Sequence, residues 1–562
     1  MQKVWNIKKY DEELVEKVKE TYNVSTMLAK LMISRGVEFE EMGSFLRADL
    51  SKIEDPFVMK DMDKFVKRVD KAISEKEKIC IYGDYDVDGI TSITVLYKFL
   101  KGLGAEVSYY LPDRLIEGYG VNKEAIDEII EKYGSKLIIT VDCGITATEE
   151  VKYAKTKGVD FLITDHHECL EKAPKAFGVI DAKQKDDKSK FKELAGVGVA
   201  FKCIMALAKH FGLDESSYMK YIDLVAIGTI SDIVSLTSEN RIISKYGLEA
   251  MKVSKNVGLS SLLKLVGSNE IDSSLVSFSL APRINACGRM GNASLAVELF
   301  LSEKMPEATR LAEKLDSYNK QRQEIEKKIY EKALKIATEK GLVVKKSIVL
   351  YDEKWHSGII GIVASKLSSM FYKPVILFTK ENGVVRGSGR CPAGFSLYSA
   401  VSKCSDLLIQ FGGHEHAAGM TIEEENIEKF AERFEEVAAN SIPKDSREVL
   451  DIDMEIDKND LNVRTVKDVF LIKPYGQLNP EPVFAYKNLR VQAISTIKDG
   501  KHLKLTLRDQ NNLILAIGFS IGDRRDELVI GDKVDIVANI AINTYTSPKT
   551  IQFMIKDFRK VI

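Results

Sequence analysis

The sequence predicts an α/β protein in which a parallel sheet flanked by helices is joined by a long helix to a smaller α/β region, followed by a small C-terminal β-barrel. Three observations predict it. From Lys78 onward, strand-like runs at 78–83, 106–111, 136–141 and 160–164 alternate with helix-like runs at 90–101, 122–133 and 146–157, the pattern of a parallel sheet with helices on its faces. Residues 302–341 carry a charged helical pattern with Leu311, Leu315, Ile325, Ile329, Ala333 and Ile336 along one stripe, which suits a strut between two domains. Beyond Val483 the chain turns to short alternating strands such as His502–Arg508, as expected of a small barrel.

The remaining stretches are quieter. Residues 1–75 read as helical and charged, residues 200–300 as mostly helical, and residues 345–440 as a return to α/β character. A chain of 562 residues suits three or four domains. A formal net charge of −1 argues against wholesale non-specific nucleic-acid binding but leaves room for a local basic groove. Residues 483–562 supply one, with 13 Lys+Arg against 8 Asp+Glu, and Tyr486, His502 and Tyr545 are candidates to stack on bases there. Seven scattered cysteines without a C-x-x-C pair point to a reducing compartment, without a disulfide framework or structural zinc. The first residues hold no apolar signal core, and no run reaches the ~18 apolar residues of a membrane span. A cytoplasmic protein without membrane association is expected.

Chemistry concentrates at the strand ends. Asp84, Asp86 and Asp88 follow the apolar run Ile79-Cys80-Ile81 at alternate positions. Carboxylates that close repel one another and raise each other's pKa, and a cation removes the cost. Hard oxygen ligands suit Mg²⁺ or Mn²⁺. The run is not a calcium EF-hand loop, because the glutamate at loop position twelve is missing. Asp142 follows the run Leu137–Val141, Asp165-His166-His167 follows Phe161–Thr164, and Asp232 follows Ile227–Ser231. In a parallel sheet, ligands sit beyond the carboxyl ends of the strands, where the acidic motifs fall. Five of the seven histidines lie in such motifs: His166, His167, His356, His414 and His416. Glycines around the last two would let backbone approach a ligand closely.

The ordered series Asp84–Gly89, Val141–Gly144, Asp165-His166-His167 and Ser231-Asp232 resembles the DHH phosphoesterase superfamily. The segments Arg283–Met290, Trp355–Gly358, Gly387–Arg390, Gly412–His416 and Pro474–Pro482 are similar to its bacterial single-stranded-DNA exonuclease branch. The resemblance covers roughly residues 40–560. It implies an N-terminal helical region (1–75), a DHH domain (76–300), a connecting helix (301–342), a DHH-associated domain (343–445) and an OB-type nucleic-acid-binding domain (450–562). It further implies 5′→3′ hydrolysis of single-stranded DNA to mononucleotides with two Mn²⁺ or Mg²⁺ ions, a place in repair and recombination, and a helicase and a single-strand-binding protein as partners of a monomer.

By the same resemblance Asp86, Asp88, Asp142, His166 and Asp232 are the metal ligands, with Asp142 bridging two ions. His167 is the acid or phosphate partner, supported by Asp84 and Asp165. Arg114, Ser388 and Arg390 form a 5′-phosphate pocket, where the planar guanidinium fork suits phosphate. Tyr119 stacks on a base near the end, and Arg283, Asn285, Arg289, His414 and His416 contact the backbone or the scissile phosphate. Tyr82, Cys391 and Leu478 depart from the family pattern. Two rivals stay open. One is another phosphodiesterase of the superfamily, acting on oligoribonucleotides or cyclic dinucleotides. The other is a DNA-binding scaffold without catalysis, against which the complete ligand set speaks.

Overall fold

The computed structural model describes all residues except 1–2, 113–116, 118–119, 170, 269, 443–446, 511, 544–549 and 562. Near-continuous apolar runs make strands that are buried on both faces. Five of them, β1 (Ile79–Gly83), β2 (Val107–Tyr110), β3 (Leu137–Val141), β4 (Asp160–Thr164) and β5 (Gly178–Ile180), form one sheet in the order β2-β1-β3-β4-β5, parallel throughout. Helices cover both faces. Val87–Gly102 and Gly196–His210 pack on one side, and Lys123–Tyr133 and Thr148–Thr156 on the other. All the carboxyl ends therefore open at one edge.

A second sheet holds β6 (Ile348–Tyr351), β7 (Val375–Glu381), β8 (Val384–Arg390), β9 (Leu408–Gly413) and β10 (Ala417–Ile422), in the order β9-β10-β8-β7-β6. Only β6 and β7 run parallel. The others form antiparallel pairs. Between the sheets runs the expected strut, a helix of 35 residues, Met305–Glu339, which spans about 52 Å at 1.5 Å per residue. Its apolar stripe serves two cores. Leu311 and Leu315 pack into that of the first sheet, Ile329 and Ala333 into that of the second.

The C-terminal strands β11 (Met454–Ile456), β12 (Phe484–Ile497), β13 (His502–Asp509), β14 (Asn512–Gly518), β15 (Lys533–Asn543) and β16 (Thr550–Lys560) run in the order β11-β12-β13-β14-β16-β15, and pairing of β12 with β15 closes a five-stranded barrel. This barrel does not stand alone. Val15, Val18, Met27 and Leu31 of the N-terminal helices share its core with Phe484, Leu505 and Phe553. Strand Val4–Ile7 pairs in parallel with Val449–Ile452, and buried Arg35 and Asp453 form an ion pair at 2.6 Å. The first residues are thus not purely helical, and they build the seat of the barrel.

Arg241 locks this seat to the first domain. Almost wholly buried, it lies 4.0 Å from the ring centre of Phe45 and donates to Phe45 O at 3.2 Å, Leu471 O at 2.9 Å and Ile472 O at 2.6 Å. Among the described residues, no helix is long and apolar enough to cross a membrane.

Candidate metal centre and substrate cleft

The metal-ligand candidates converge at the open edge of the first sheet. Asp86 caps helix Val87–Gly102, accepting from Asp88 N at 2.9 Å and Gly89 N at 3.1 Å, so the acidic run is bent back over the strand ends. Asp88 accepts from Gly196 N at 2.6 Å and Val197 N at 2.8 Å, at the amino end of helix Gly196–His210, where unpaired amides favour an anion. Glycine is required at position 196, because a Cβ there would stand 2.7 Å from Asp142 Oδ1. Asp142 itself takes the left-handed conformation, φ 59°, which turns its carboxylate back into the cleft.

The ligand atoms of Asp84, Asp86 and Asp142 lie within 4.8 Å of one another, as do those of Asp142, His166 and His167 and those of Asp88, His166 and Asp232. Asp142 belongs to two of these groups and His166 to two, so the three make one continuous nest. His166 Nε2 stands 3.1 Å from Asp142 Oδ1, 3.6 Å from Asp232 Oδ2 and 3.9 Å from Asp88 Oδ2. None of these contacts has hydrogen-bond geometry, and Nε2 is a buried polar atom without a partner. A lone pair facing carboxylate oxygens is repulsive unless a cation stands between them.

Electrostatics say the same. Burial, then the neighbouring Asp86, pushes the Asp88 carboxyl up to about 7. Burial and the charges of Asp88 and Asp86 push Asp232 up to about 9, and burial with Asp88 raises Asp142 well above the carboxylate range. Burial and the charge of His167 press His166 down to about 3, which keeps it the neutral imidazole that a metal takes. Asp165 plays a different part. It accepts from His167 Nδ1 at 2.8 Å, His166 N at 2.7 Å and Ile145 N at 2.9 Å. Burial would raise it, but the His167 bond and charge hold it below the ordinary value. Burial pulls His167 down, and the bond to Asp165 outweighs it and raises the imidazole. The donor set, carboxylate oxygens with one or two imidazoles, fits Mn²⁺ or Mg²⁺.

The other predicted residues fall in three places. Arg114 and Tyr119 lie outside the described residues. Arg283, Asn285 and Arg289 share the helix Ala281–Arg289. Arg283 bonds Asp316 of the strut at 2.9 Å and Ser279 O at 2.7 Å. Arg289 donates to Gly358 O at 2.9 Å, which ties this helix to the start of helix Ser357–Phe371. On β8, Ser388 and Arg390 sit side by side, Nη1 to Oγ 3.1 Å, pressed against Gly361, whose added Cβ would meet Ser388 Oγ at 2.8 Å and Arg390 Nη2 at 3.1 Å. His414 and His416 occupy the exposed turn between β9 and β10, and His416 O accepts from Cys391 N at 3.2 Å.

Several features correct or extend the sequence reading. Tyr82 is no part of the metal centre. It is wholly buried, with its ring stacked on Tyr110 at 5.4 Å and its hydroxyl on Gly120 O. Tyr486 and His502 are buried too, one bonded to Asp509 and the other accepting from Ser520 N, so neither offers a face to a base. Tyr545 lies outside the described residues. The alternation that marks a strand does not say which face closes onto a barrel core. The amides of Gly196 and Val197 that bind Asp88 escaped the sequence reading, although the close pair Gly196 and Gly198 at the start of an apolar run was their signal.

Comparison with known proteins matches three segments of the chain to family models. Residues 78–229 match the DHH family, N-terminal domain, residues 343–440 the DHHA1 domain, and residues 452–557 the RecJ OB domain. The chain is similar to the single-stranded-DNA-specific exonuclease RecJ of Bacillus subtilis, 39% identical over 560 residues, covering 98% of this chain and 70% of the relative. Its structure is similar to that of RecJ from Thermus thermophilus in complex with Mn²⁺, with a TM-score of 0.87 and 29% identity over 100% of this chain and 80% of the other. The Mg²⁺ complex of RecJ from the same organism gives a TM-score of 0.80 with 27% identity over 100% and 79%.

Proposed function

We propose, for a chain that belongs to the RecJ family of DHH phosphoesterases, that it is a metal-dependent exonuclease that digests single-stranded DNA from the 5′ end and releases 5′-mononucleotides in DNA repair and recombination. The observation that carries this reading is the nest of Asp84, Asp86, Asp88, Asp142, His166 and Asp232, linked through Asp142 and the partnerless nitrogen of His166. Asp86, Asp88, Asp142, His166 and Asp232 would hold two divalent cations, Mn²⁺ or Mg²⁺, with Asp142 common to two of the ligand groups. Bound there, such a pair supplies the Lewis acidity that activates a water and stabilises the leaving oxygen in an in-line displacement.

The residues of the chain supply the rest. Asp165 fixes the Nδ1 proton of His167 and holds the raised, readily protonated imidazole beside the nest, as a proton donor or phosphate partner needs. Ser388 and Arg390, with Arg114, take the 5′-phosphate and so orient the terminal nucleotide. Asn285, Arg289, His414 and His416 contact the backbone. Arg283 supports the same helix through Asp316 and contributes charge to the cleft. In the barrel, Arg508, Arg490 and Lys533 lie directly across from one another on β13, β12 and β15, all exposed. Like charges in register are destabilising, and a nucleic-acid backbone is the anion that relieves them. A single-strand enzyme of this kind acts with a helicase that supplies the strand and a single-strand-binding protein that covers it. It works as a cytoplasmic monomer.

The test offers 5′-labelled single-stranded DNA, duplex DNA and RNA side by side with Mn²⁺. Labelled mononucleotide from single-stranded DNA alone is expected. Faster hydrolysis of RNA or of cyclic dinucleotides would move the chain to another branch of the superfamily, and binding without cleavage would make it a scaffold.

A further inference from the structure

Beside Asp232 lies a cavity of about 480 Å³. Its walls come from Ile233 and Leu236, from Phe278 and Asn285, and from Tyr475 and Gln477. Two of these residues are unusual. Ile233, next to the metal-ligand candidate, is a β-branched residue in the left-handed conformation, φ 62°, and 72% exposed. Sterics disfavour this conformation, so it persists only where the surroundings impose it, and such outliers gather at functional sites. The surroundings here are identifiable, since Leu236 N donates to Gln477 O at 2.9 Å and Leu236 packs against Gly476, leaving no room for a Cβ there.

Phe278 is 81% exposed. It sits in the π-helical turn Val276–Leu280, which interrupts an otherwise α-helical run just before Pro282. A proline clashes with the carbonyl four residues earlier, here that of Phe278, and a widened turn relieves the clash. The ring of Phe278 on this turn is exposed and lines the cavity.

We propose that this cavity is a nucleobase slot, which receives the base on the 3′ side of the scissile phosphate and stacks it on Phe278 against Ile233. The proposal rests on the reading of Asp232 as a metal ligand, and it deepens that reading by naming what holds the second nucleotide. The choice of a base follows from the neighbours. An apolar slot flanked by Asn285 and Arg289, one residue from a phosphodiester-cleaving centre, suits an aromatic ring tethered to phosphates. The side of the cut follows from the layout. Arg289 lines the slot and bonds Gly358 O, in the helix that packs on Ser388 and Arg390 through Gly361. Arg289 thus touches both the slot and the helix behind the 5′-phosphate pocket, while Tyr475–Gln477, which lead into the barrel, wall the slot.

The experiment compares kcat/KM for two 5′-phosphorylated oligonucleotides, one normal and one with an abasic second nucleotide, in the wild-type chain and in Phe278→Ala. Because the side chain is exposed, the substitution leaves folding intact, which circular dichroism verifies. Wild type should disfavour the abasic strand by roughly ten-fold, the size of one lost base–aromatic stack. Phe278→Ala should treat both strands alike, at the lower rate. A second readout places 2-aminopurine at the second position in an Asp142→Ala background, where binding should quench its fluorescence only while Phe278 is present. Discrimination retained by Phe278→Ala, or an equal loss on both strands, would overturn the slot. Failure of the wild type to release any nucleotide with Mn²⁺ would instead overturn the metal-centre reading beneath it.

Discussion

The two sheets treat charge in opposite ways. The first is parallel, and its carboxyl ends open at one edge, where Asp84, Asp88, Asp142 and His166 are almost fully enclosed and Asp86 is half-buried. The second is mainly antiparallel and offers Ser388 and Arg390 from the side of a strand, half-buried, with the histidines at an exposed turn. Buried acids facing one another need cations, and half-exposed basic side chains on a strand surface need only an anion to pass. The difference teaches that the molecule has an enclosed anionic pole and a half-exposed cationic pole, with Arg289 tying helix Ala281–Arg289 to the start of helix Ser357–Phe371.

The hardest way to break this contrast is to remove the residue that the anionic groups share. Asp142→Ala should lower turnover by about 10³-fold or more, while single-stranded DNA binding stays largely intact. Near wild-type release of mononucleotides from this variant would end the assignment. At the other pole, Arg390→Ala should reduce the preference for a 5′-phosphate over a 5′-hydroxyl end by about 10- to 100-fold, the worth of one charge-assisted phosphate contact. Initial rates on the two oligonucleotides measure it, and an unchanged ratio would place the pocket elsewhere.

A third cationic surface belongs to the barrel. Deleting residues from 450 onward is a poor probe of it, because the deletion would bare Val15, Met27 and Leu31 and strip Arg241 of two of its carbonyl acceptors. Replacing Arg490, Arg508 and Lys533 together by alanine tests the same idea in a folded chain. The slope of log affinity against log salt should become shallower by about 2, three contacts at roughly 0.7 each. Cleavage at saturating DNA should hardly change.

The smallest effect concerns stability without metal. Asp88 and Asp232 have folded values near 7 and 9 against an ordinary 3.8. Groups raised in this way contribute stability that is fully present below pH 4 and is lost as pH rises through 7 to 9. With a chelator present, Tm should therefore fall by several degrees between pH 5 and pH 9. With Mn²⁺ the trend should disappear, since the cation favours the ionised carboxylates. A chelated protein with a flat profile would show that these acids are not buried together.

The gathering of the acids was largely legible in the sequence, because Asp84, Asp142 and Asp165 stand at the ends of apolar strands and strand ends gather at one edge. Asp232 was legible for the same reason, although its run folds as helix Ile222–Ser231 rather than as a strand. The strut was legible from its stripe. What could not be read were contacts between distant segments. Nothing near Val4–Ile7 announces a partner at Val449–Ile452, and nothing near Arg241 announces the carbonyls of Phe45, Leu471 and Ile472. The burial of Tyr486 and His502 was lost for a related reason, since a closed barrel buries one face of each strand and the local pattern fits either face.

Equilibrium binding of Mn²⁺ to the chelator-stripped chain at pH 7 tests the central claim most directly. The account predicts two ions per chain, with proton release as the raised carboxyls of Asp88 and Asp232 give up their protons, and loss of the pair in Asp142→Ala. Binding of one ion or none, or two ions held unchanged by Asp142→Ala, would contradict it.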